Sequence, residues 1–137
     1  MTDVPIQFFQ AAATAIPTLM IAVVVGMKFG EGPAQRLEGK GKVGRIVVLV
    51  ISVVAIAGIF ASEFVALAAL IQGGGTLEQA YFVWLGITMA FYFLAHEYLM
   101  PVKKVATNFE RELLDWMILL LMIASLVSAT YVLRALG

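Results

Sequence analysis

Glu63 is a single carboxyl group inside the apolar stretch from residue 45 to residue 71. At 1.5 Å per helical residue it lies about 12 Å from Ile71 and about 27 Å from Arg45. A carboxyl at that depth in hydrocarbon must face protein or water, bind a cation or be protonated. Glu63 is therefore a candidate ion or proton site. The alternative is a neutral carboxyl that is hydrogen-bonded to a neighbouring helix.

Polar side chains also recur in the first apolar stretch, at steps of three or four residues that place them on one helical face. They are Gln7, Gln10, Thr14 and Thr18. Because this face and Glu63 are expected at the same depth, they would together line a polar vestibule on an ion or proton path. The alternative is that the glutamines lie among lipid headgroups and the threonines bond to their own backbone.

His96 and Glu97 lie near the end of the third apolar stretch, and Thr88 and Tyr92 precede His96 at four-residue steps. An imidazole titrates near physiological pH, so His96 with Glu97 is a candidate for gating or pH sensing. Simple solvation at the membrane boundary is the alternative. The chain has one histidine and no cysteine, so we predict neither a metal site nor a cofactor.

The chain that carries these groups is too apolar for a water-soluble domain. Of its 137 residues, 62% are hydrophobic and 13% are charged, and its mean hydropathy is +0.98. The apolar residues form four blocks, and a helix of roughly 20 residues crosses the hydrocarbon. We predict an all-α integral membrane protein, a single transmembrane domain over residues 1–137. It is expected to be a four-helix bundle with short loops and spans at about 6–29, 45–71, 79–100 and 108–136.

Turn and capping residues indicate where these spans end. A glycine-rich, polar stretch follows the first span, Gly73 to Gly75 close the second, and Pro101 is expected to stop the third. Thr107 and Glu110 have the spacing of a capping box, which predicts the start of the fourth helix.

Loop charge predicts the orientation. The first and third loops carry most of the cationic side chains: Lys28, Arg36, Lys40, Lys42, Arg45, Lys103, Lys104 and Arg111. Since lysine and arginine are retained on the cytoplasmic side, both termini are expected to be extracytoplasmic, in the plasma membrane. Anionic lipid headgroups are the expected contacts of Lys40, Lys42, Lys103 and Lys104.

Net charge and loop length exclude several classes of function. A net charge of zero, with no concentrated basic face, excludes a nucleic-acid partner. No loop is long enough to form a catalytic domain and no nucleophile–base pair is visible, so the chain is not expected to be an enzyme. Four packed helices leave no water-filled path through their own centre, so a conducting protein of this size must be an oligomer.

Three functions agree with these features. The first is a homo-oligomeric channel or small transporter for cations or protons, in which Glu63 is the ion or proton site. The second is a non-conducting structural or regulatory membrane subunit of a larger complex. The third is a lytic or toxic membrane pore.

Overall fold

Four helices contain nearly all of the residues that the computed structural model describes, which are residues 3–29 and 39–136. The helices are α1 (Ile6–Phe29), α2 (Lys42–Gln72), α3 (Leu77–Val105) and α4 (Asn108–Leu136). Each is long and apolar enough to span a membrane, which confirms the four predicted helices. The polar loop predicted after α1 falls on residues 30–38, outside the described residues.

The end of α3 differs from the prediction. We expected Pro101 to stop this helix, but α3 continues through Pro101 to Val105, so that prediction is wrong. A proline inside a helix removes one backbone hydrogen bond. Two contacts stabilise the turn that follows Pro101. The Ala106 amide donates to the Val102 carbonyl at 3.1 Å, and Lys103 forms an ion pair with Asp115 of α4.

Local hydrogen bonds set the end of α2 and the starts of α3 and α4. Gly73 ends α2 in the left-handed region (φ 82°), and the Gly74 amide donates to the Ala69 carbonyl at 2.9 Å. A capping box formed by Thr76 and Gln79, which was not predicted from the sequence, starts α3.

The predicted Thr107–Glu110 capping box is confirmed. The Thr107 amide donates to the Glu110 carboxylate at 2.7 Å, and the Glu110 amide donates to the Thr107 hydroxyl at 3.3 Å. These two bonds satisfy amides that the first turn of α4 leaves without helical partners.

A two-stranded antiparallel sheet closes one end of the bundle. Strand β1 (Asp3–Val4) pairs with β2 (Gly75–Thr76), so the N-terminal segment lies beside the loop between α2 and α3. We call this end the sheet end. The opposite end carries Lys40, Lys42, Lys103 and Lys104, and we call it the basic end.

Helix α3 is central, because it packs against each of the other three helices. Helices α1 and α2 also pack against each other, whereas α4 packs mainly on α3. The largest fully buried side chains include Phe9, Ile16, Ile59, Val83 and Leu133. The described chain is therefore a three-helix body of α1, α2 and α3 with α4 attached along one side of α3.

Candidate functional site

Glu63 lies at the boundary between the packed and the outer faces of α2. Its neighbour Ser62 is fully buried against α3, whereas Phe60 and Phe64 are exposed. Glu63 itself is half-buried. Its Oε2 atom is buried and has no hydrogen-bond partner among the residues that the structure describes. A carboxyl oxygen in this position needs a donor, a proton or a cation from outside the described chain.

The polar side chains of α1 lie on the outside of the bundle. Helix α1 buries Phe9, Ala12, Ile16, Leu19 and Val23, all on one face. The polar set lies on the opposite face and is exposed: Gln7, Gln10, Thr14 and Thr18. We call these four residues the polar face of α1.

Within the polar face, the hydroxyl and amide groups differ in their hydrogen bonding. The Thr14 hydroxyl donates to the Gln10 carbonyl at 3.0 Å, and the Thr18 hydroxyl donates to the Thr14 carbonyl at 2.8 Å. Both threonine hydroxyls therefore have partners in their own helix. The side-chain amides of Gln7 and Gln10 make no hydrogen bond within residues 3–29 and 39–136.

The depth of each group below the sheet end follows from its place in its own helix. The β1–β2 pairing places the start of α1 beside the end of α2 and the start of α3. Gln10 is four residues from the start of α1 at Ile6, or about 6 Å, and Thr14 is eight residues from it, or about 12 Å. Glu63 is nine residues from the end of α2 at Gln72, or about 14 Å. Thr14, rather than Gln10, therefore lies near the depth of Glu63.

No hydrogen bond of the described chain joins Glu63 to Gln7, Gln10, Thr14 or Thr18. The polar face points away from the bundle, while Glu63 lies beside the face of α2 that packs inward. A single copy of the chain thus does not assemble the vestibule that the sequence predicts.

His96 and Glu97 lie toward the basic end of α3. The His96 ring stacks on Tyr92, with centroids 5.7 Å apart, and its Nδ1 atom is 3.5 Å from the Lys103 Nζ atom. Lys103 also forms the ion pair with Asp115. Glu97 is only 2% exposed, so simple solvation, one of the two interpretations of the His96–Glu97 pair, does not describe this carboxyl.

A hydrogen-bonded cluster that was not predicted from the sequence joins α3 to α4 nearer the sheet end. The Trp84 indole donates to the Ser125 carbonyl at 3.1 Å and lies 3.2 Å from its hydroxyl, while the Thr88 and Ser125 hydroxyls are 3.0 Å apart. The four-residue spacing of Thr88, Tyr92 and His96 was a signal for one shared face. It did not identify Ser125 as the partner.

Two cavities follow the line of contact between α3 and α4, which we call the α3–α4 seam. One has a volume of about 290 Å³ and the other about 350 Å³, and Tyr92 and Ile118 line both. The first reaches Thr88 and Ser125, and the second is lined by His96 and Asp115. A further cavity of about 360 Å³ lies between α2 and α3, where Gly58, Ile59 and Gly86 are among its lining residues, so polar lining rather than cavity volume distinguishes the seam.

The described residues contain no group of three or more histidine, aspartate or glutamate side chains that could hold a metal ion. Comparison of the chain with models of protein families, with curated proteins and with solved structures finds no match in any of the three. The function is therefore argued from the helix faces and their polar groups alone.

Proposed function

We propose that the chain is an integral membrane protein that acts as a homo-oligomeric channel or small transporter for cations or protons. Glu63 is its ion or proton site. The observation that carries the proposal is the buried Oε2 atom of Glu63, which has no hydrogen-bond partner in the part of the chain that the structure describes.

The depth of Glu63 supports this role. It is nine residues before the end of α2 at Gln72, or about 14 Å of helix, which lies well inside a hydrocarbon layer of about 30 Å. An unpartnered carboxyl at that depth is expensive. A proton or a cation offsets this cost, and binding either one reversibly is the step that a channel or transporter requires.

Packing supports an oligomer. Fully buried apolar side chains fill the interior of the three-helix body, among them Phe9, Ile16, Ile59 and Val83. Side chains packed at this density leave no continuous space for water. A path for ions past Glu63 must then run between copies of the chain, where symmetry repeats one carboxyl in every copy.

The distribution of charge between the two ends of the bundle supports the predicted orientation of the chain. The basic end carries Lys40, Lys42, Lys103 and Lys104, whereas the described part of the sheet end has Asp3, Glu78 and one cation, Arg134 in the last turn of α4. Under the positive-inside rule, the basic end faces the cytoplasm and both termini lie outside the plasma membrane. The four lysines then lie at the level of anionic lipid headgroups.

Ion flux into proteoliposomes tests the role of Glu63. We expect Glu63→Gln to reduce cation or proton flux by roughly tenfold or more, a change of about 1.4 kcal/mol in the barrier. Glu78→Gln is the matched control, because it makes the same change at an exposed position in the first turn of α3, at the sheet end. Its flux should equal that of the wild type.

Other results identify the other two functions. Equal flux in wild type and Glu63→Gln removes Glu63 from the mechanism. An absence of flux from a protein that remains monomeric in mild detergent indicates a non-conducting subunit of a larger complex. Leakage of dyes much larger than ions indicates a lytic pore.

A further inference from the structure

We infer that Glu63 is protonated within the membrane and donates its proton to the backbone carbonyl of Ala13, which Pro17 leaves without an amide donor. The inference deepens the proposed function and rests on it, since it takes Glu63 as an intramembrane site. It narrows the bound species to the proton and adds the group that holds it.

The first argument is the side of α2 on which Glu63 lies. Ser62 packs against Gly86 of α3, and the cavity of about 360 Å³ lies on the Gly58 flank of that contact. Helix α1 packs against both α2 and α3, so it occupies the other flank. Glu63 is five residues beyond Gly58, which places the two about 140° apart around the helix. Glu63 therefore lies on the flank of α2 that faces α1.

The second argument is the side of α1 that faces α2. Phe8 stacks on Trp84 of α3, and the Trp84 indole donates to Ser125 of α4. The Phe8 flank of α1 therefore points toward α4 and away from α2. Ala13 is five residues beyond Phe8, again about 140° around the helix, and it is partly buried against the core. Ala13 thus lies on the flank of α1 that faces α2.

The third argument is depth below the sheet end. Ala13 is seven residues from the start of α1 at Ile6, or about 10–11 Å, and Pro17 is eleven residues from it, or about 16–17 Å. Glu63, at about 14 Å, lies between these two levels. A helical carbonyl points toward the C-terminal end of its helix, so the Ala13 oxygen is directed toward the level of Glu63.

The fourth argument is that this turn of α1 has an acceptor without its usual donor. Pro17 lies inside α1 and has no N–H, so it cannot donate to the carbonyl of Ala13, four residues earlier. The threonine hydroxyls of α1 donate to other carbonyls. The buried Oε2 of Glu63 has no partner in the described chain either. A carboxylate and a carbonyl both only accept, whereas a proton on Oε2 makes one a donor and satisfies both.

The fifth argument is the lack of a compensating charge near Glu63. Within about one turn of its level, the other three helices contribute residues 10–17, 83–90 and 124–131, and none of these is charged or a histidine. A carboxylate at this level has no ion-pair partner there, and a buried charge without a partner is expensive. Loss of the proton to water also leaves two acceptors facing each other. Binding and release of one proton therefore make and break this contact.

Infrared spectroscopy of the full chain in liposomes tests the bond. A neutral carboxyl has its own C=O stretching band, which moves to lower frequency when the group is hydrogen-bonded. In a pH titration, Glu63→Gln should lose one such band, and this loss assigns the band to Glu63. Pro17→Ala restores an N–H four residues beyond Ala13, which competes for the same carbonyl. The Glu63 band should then move to higher frequency.

Pro101→Ala is the matched control, because Pro101 also lies inside a helix but at the basic end of α3. It should leave the Glu63 band at its wild-type position. Glu63→Asp is a second variant that retains the acid and shortens the side chain by one methylene. Its carboxyl is withdrawn from the Ala13 carbonyl, so its band should also appear at higher frequency. Added Na⁺ at constant pH should leave the wild-type band unchanged.

Three results would overturn the inference: no neutral-carboxyl band that Glu63→Gln removes, equal band positions in Pro17→Ala and Pro101→Ala, or a wild-type band that Na⁺ abolishes at constant pH. The band is measured without flux, so the two proposals fail separately. Flux that depends on Glu63 without the band shift in Pro17→Ala refutes the bond to Ala13 alone. A shifted band with flux indifferent to Glu63→Gln refutes the transport role alone.

Discussion

Helix α3 uses different chemistry on the two sides where it meets its neighbours. Toward α1 and α2 its buried positions are mostly small or apolar, among them Ala80, Val83, Gly86 and Ala90. Gly86 lies so close to Ser62 of α2 that a Cβ atom there would overlap the serine side chain. Ser62 directs its hydroxyl to its own helix, to the Ile59 carbonyl at 2.7 Å. These contacts depend on close backbone approach.

The α3–α4 seam depends on polar groups instead. Trp84 and Thr88 both meet Ser125, Lys103 pairs with Asp115, and cavities of about 290 and 350 Å³ lie along the seam. Only three described residues of α4 are buried, namely Ile118, Ala129 and Leu133.

The two sides of α3 show two ways of holding helices together. In the bilayer that we propose for this chain, lipid removes the hydrophobic driving force, and association depends on van der Waals packing and on hydrogen bonds between helices. The three-helix body relies on the first, and the seam relies more on the second. We therefore expect a change in side-chain volume to reduce stability most in the three-helix body. The loss of a polar group should weaken only the contact between α3 and α4.

The largest effect is expected at Gly86. Gly86→Ala places a methyl group on the Ser62 side chain and should lower the free energy of unfolding by about 1–3 kcal/mol. Circular dichroism during denaturation in mixed micelles measures the change. Gly58→Ala is the matched control, since a Cβ there meets nothing within 4 Å and alanine favours the helix.

A second variant shows whether Ser62 is the obstacle. Adding Ser62→Gly to Gly86→Ala removes the overlapping atoms and should recover part of the lost stability. If Gly86→Ala and Gly58→Ala are equally stable, close backbone approach is not what holds the three-helix body together.

An intermediate effect is expected at Ser125. Ser125→Ala removes the hydroxyl that meets both Trp84 and Thr88, and Thr88 is only 5% exposed. Hydrogen bonds between membrane helices contribute about 0.6 kcal/mol on average and at most about 1.7, so we expect a loss of about 1 kcal/mol in the same denaturation experiment.

Ser128→Ala is the control for Ser125→Ala, because the Ser128 hydroxyl donates at 2.9 Å to the Ser125 carbonyl of its own helix. It should have little effect. A double-mutant cycle with Trp84→Phe separates the contribution of the indole. Equal stability of the two serine variants would contradict a polar seam.

The smallest effect is expected at the ion pair of Lys103 and Asp115. The Lys103 side chain is 11% exposed, but that of Asp115 is 56% exposed, so solvent screens the pair. Asp115→Asn should reduce stability by no more than about 1 kcal/mol at low salt, and by less at high salt. Glu112→Gln, an exposed change one turn earlier in α4, is the control. A large loss that is independent of salt would show that this pair anchors α4.

The helices and several of their ends could be predicted because local signals determine them. Each apolar block became a helix, Gly73 ended α2, and the Thr107–Glu110 capping box formed as its spacing predicts. Pro101 was misread because a proline inside a helix removes one backbone hydrogen bond but does not by itself end the helix. Beyond it the Ala106 amide still donates to the Val102 carbonyl, and Lys103 meets Asp115 of α4, whose proximity no local signal shows.

The sequence predicted which polar residues of α1 share a face, but not the direction in which that face points. Counting residues placed Glu63 well inside its helix, and the three- and four-residue steps of Gln7, Gln10, Thr14 and Thr18 correctly predicted one shared face. Neither pattern shows which way a face turns, because helical periodicity is the same whether polar groups point inward or outward.

The sequence by itself therefore determined the number of helices, most of their limits and the position of each polar group along its own helix, since these follow from local propensity and from 1.5 Å of rise per residue. Only the tertiary structure decided that α3 is central, that Ser125 meets Trp84, and that the polar face of α1 lies on the outside of the bundle. These outcomes depend on packing between segments far apart in the chain, where close fit rather than spacing selects the neighbour.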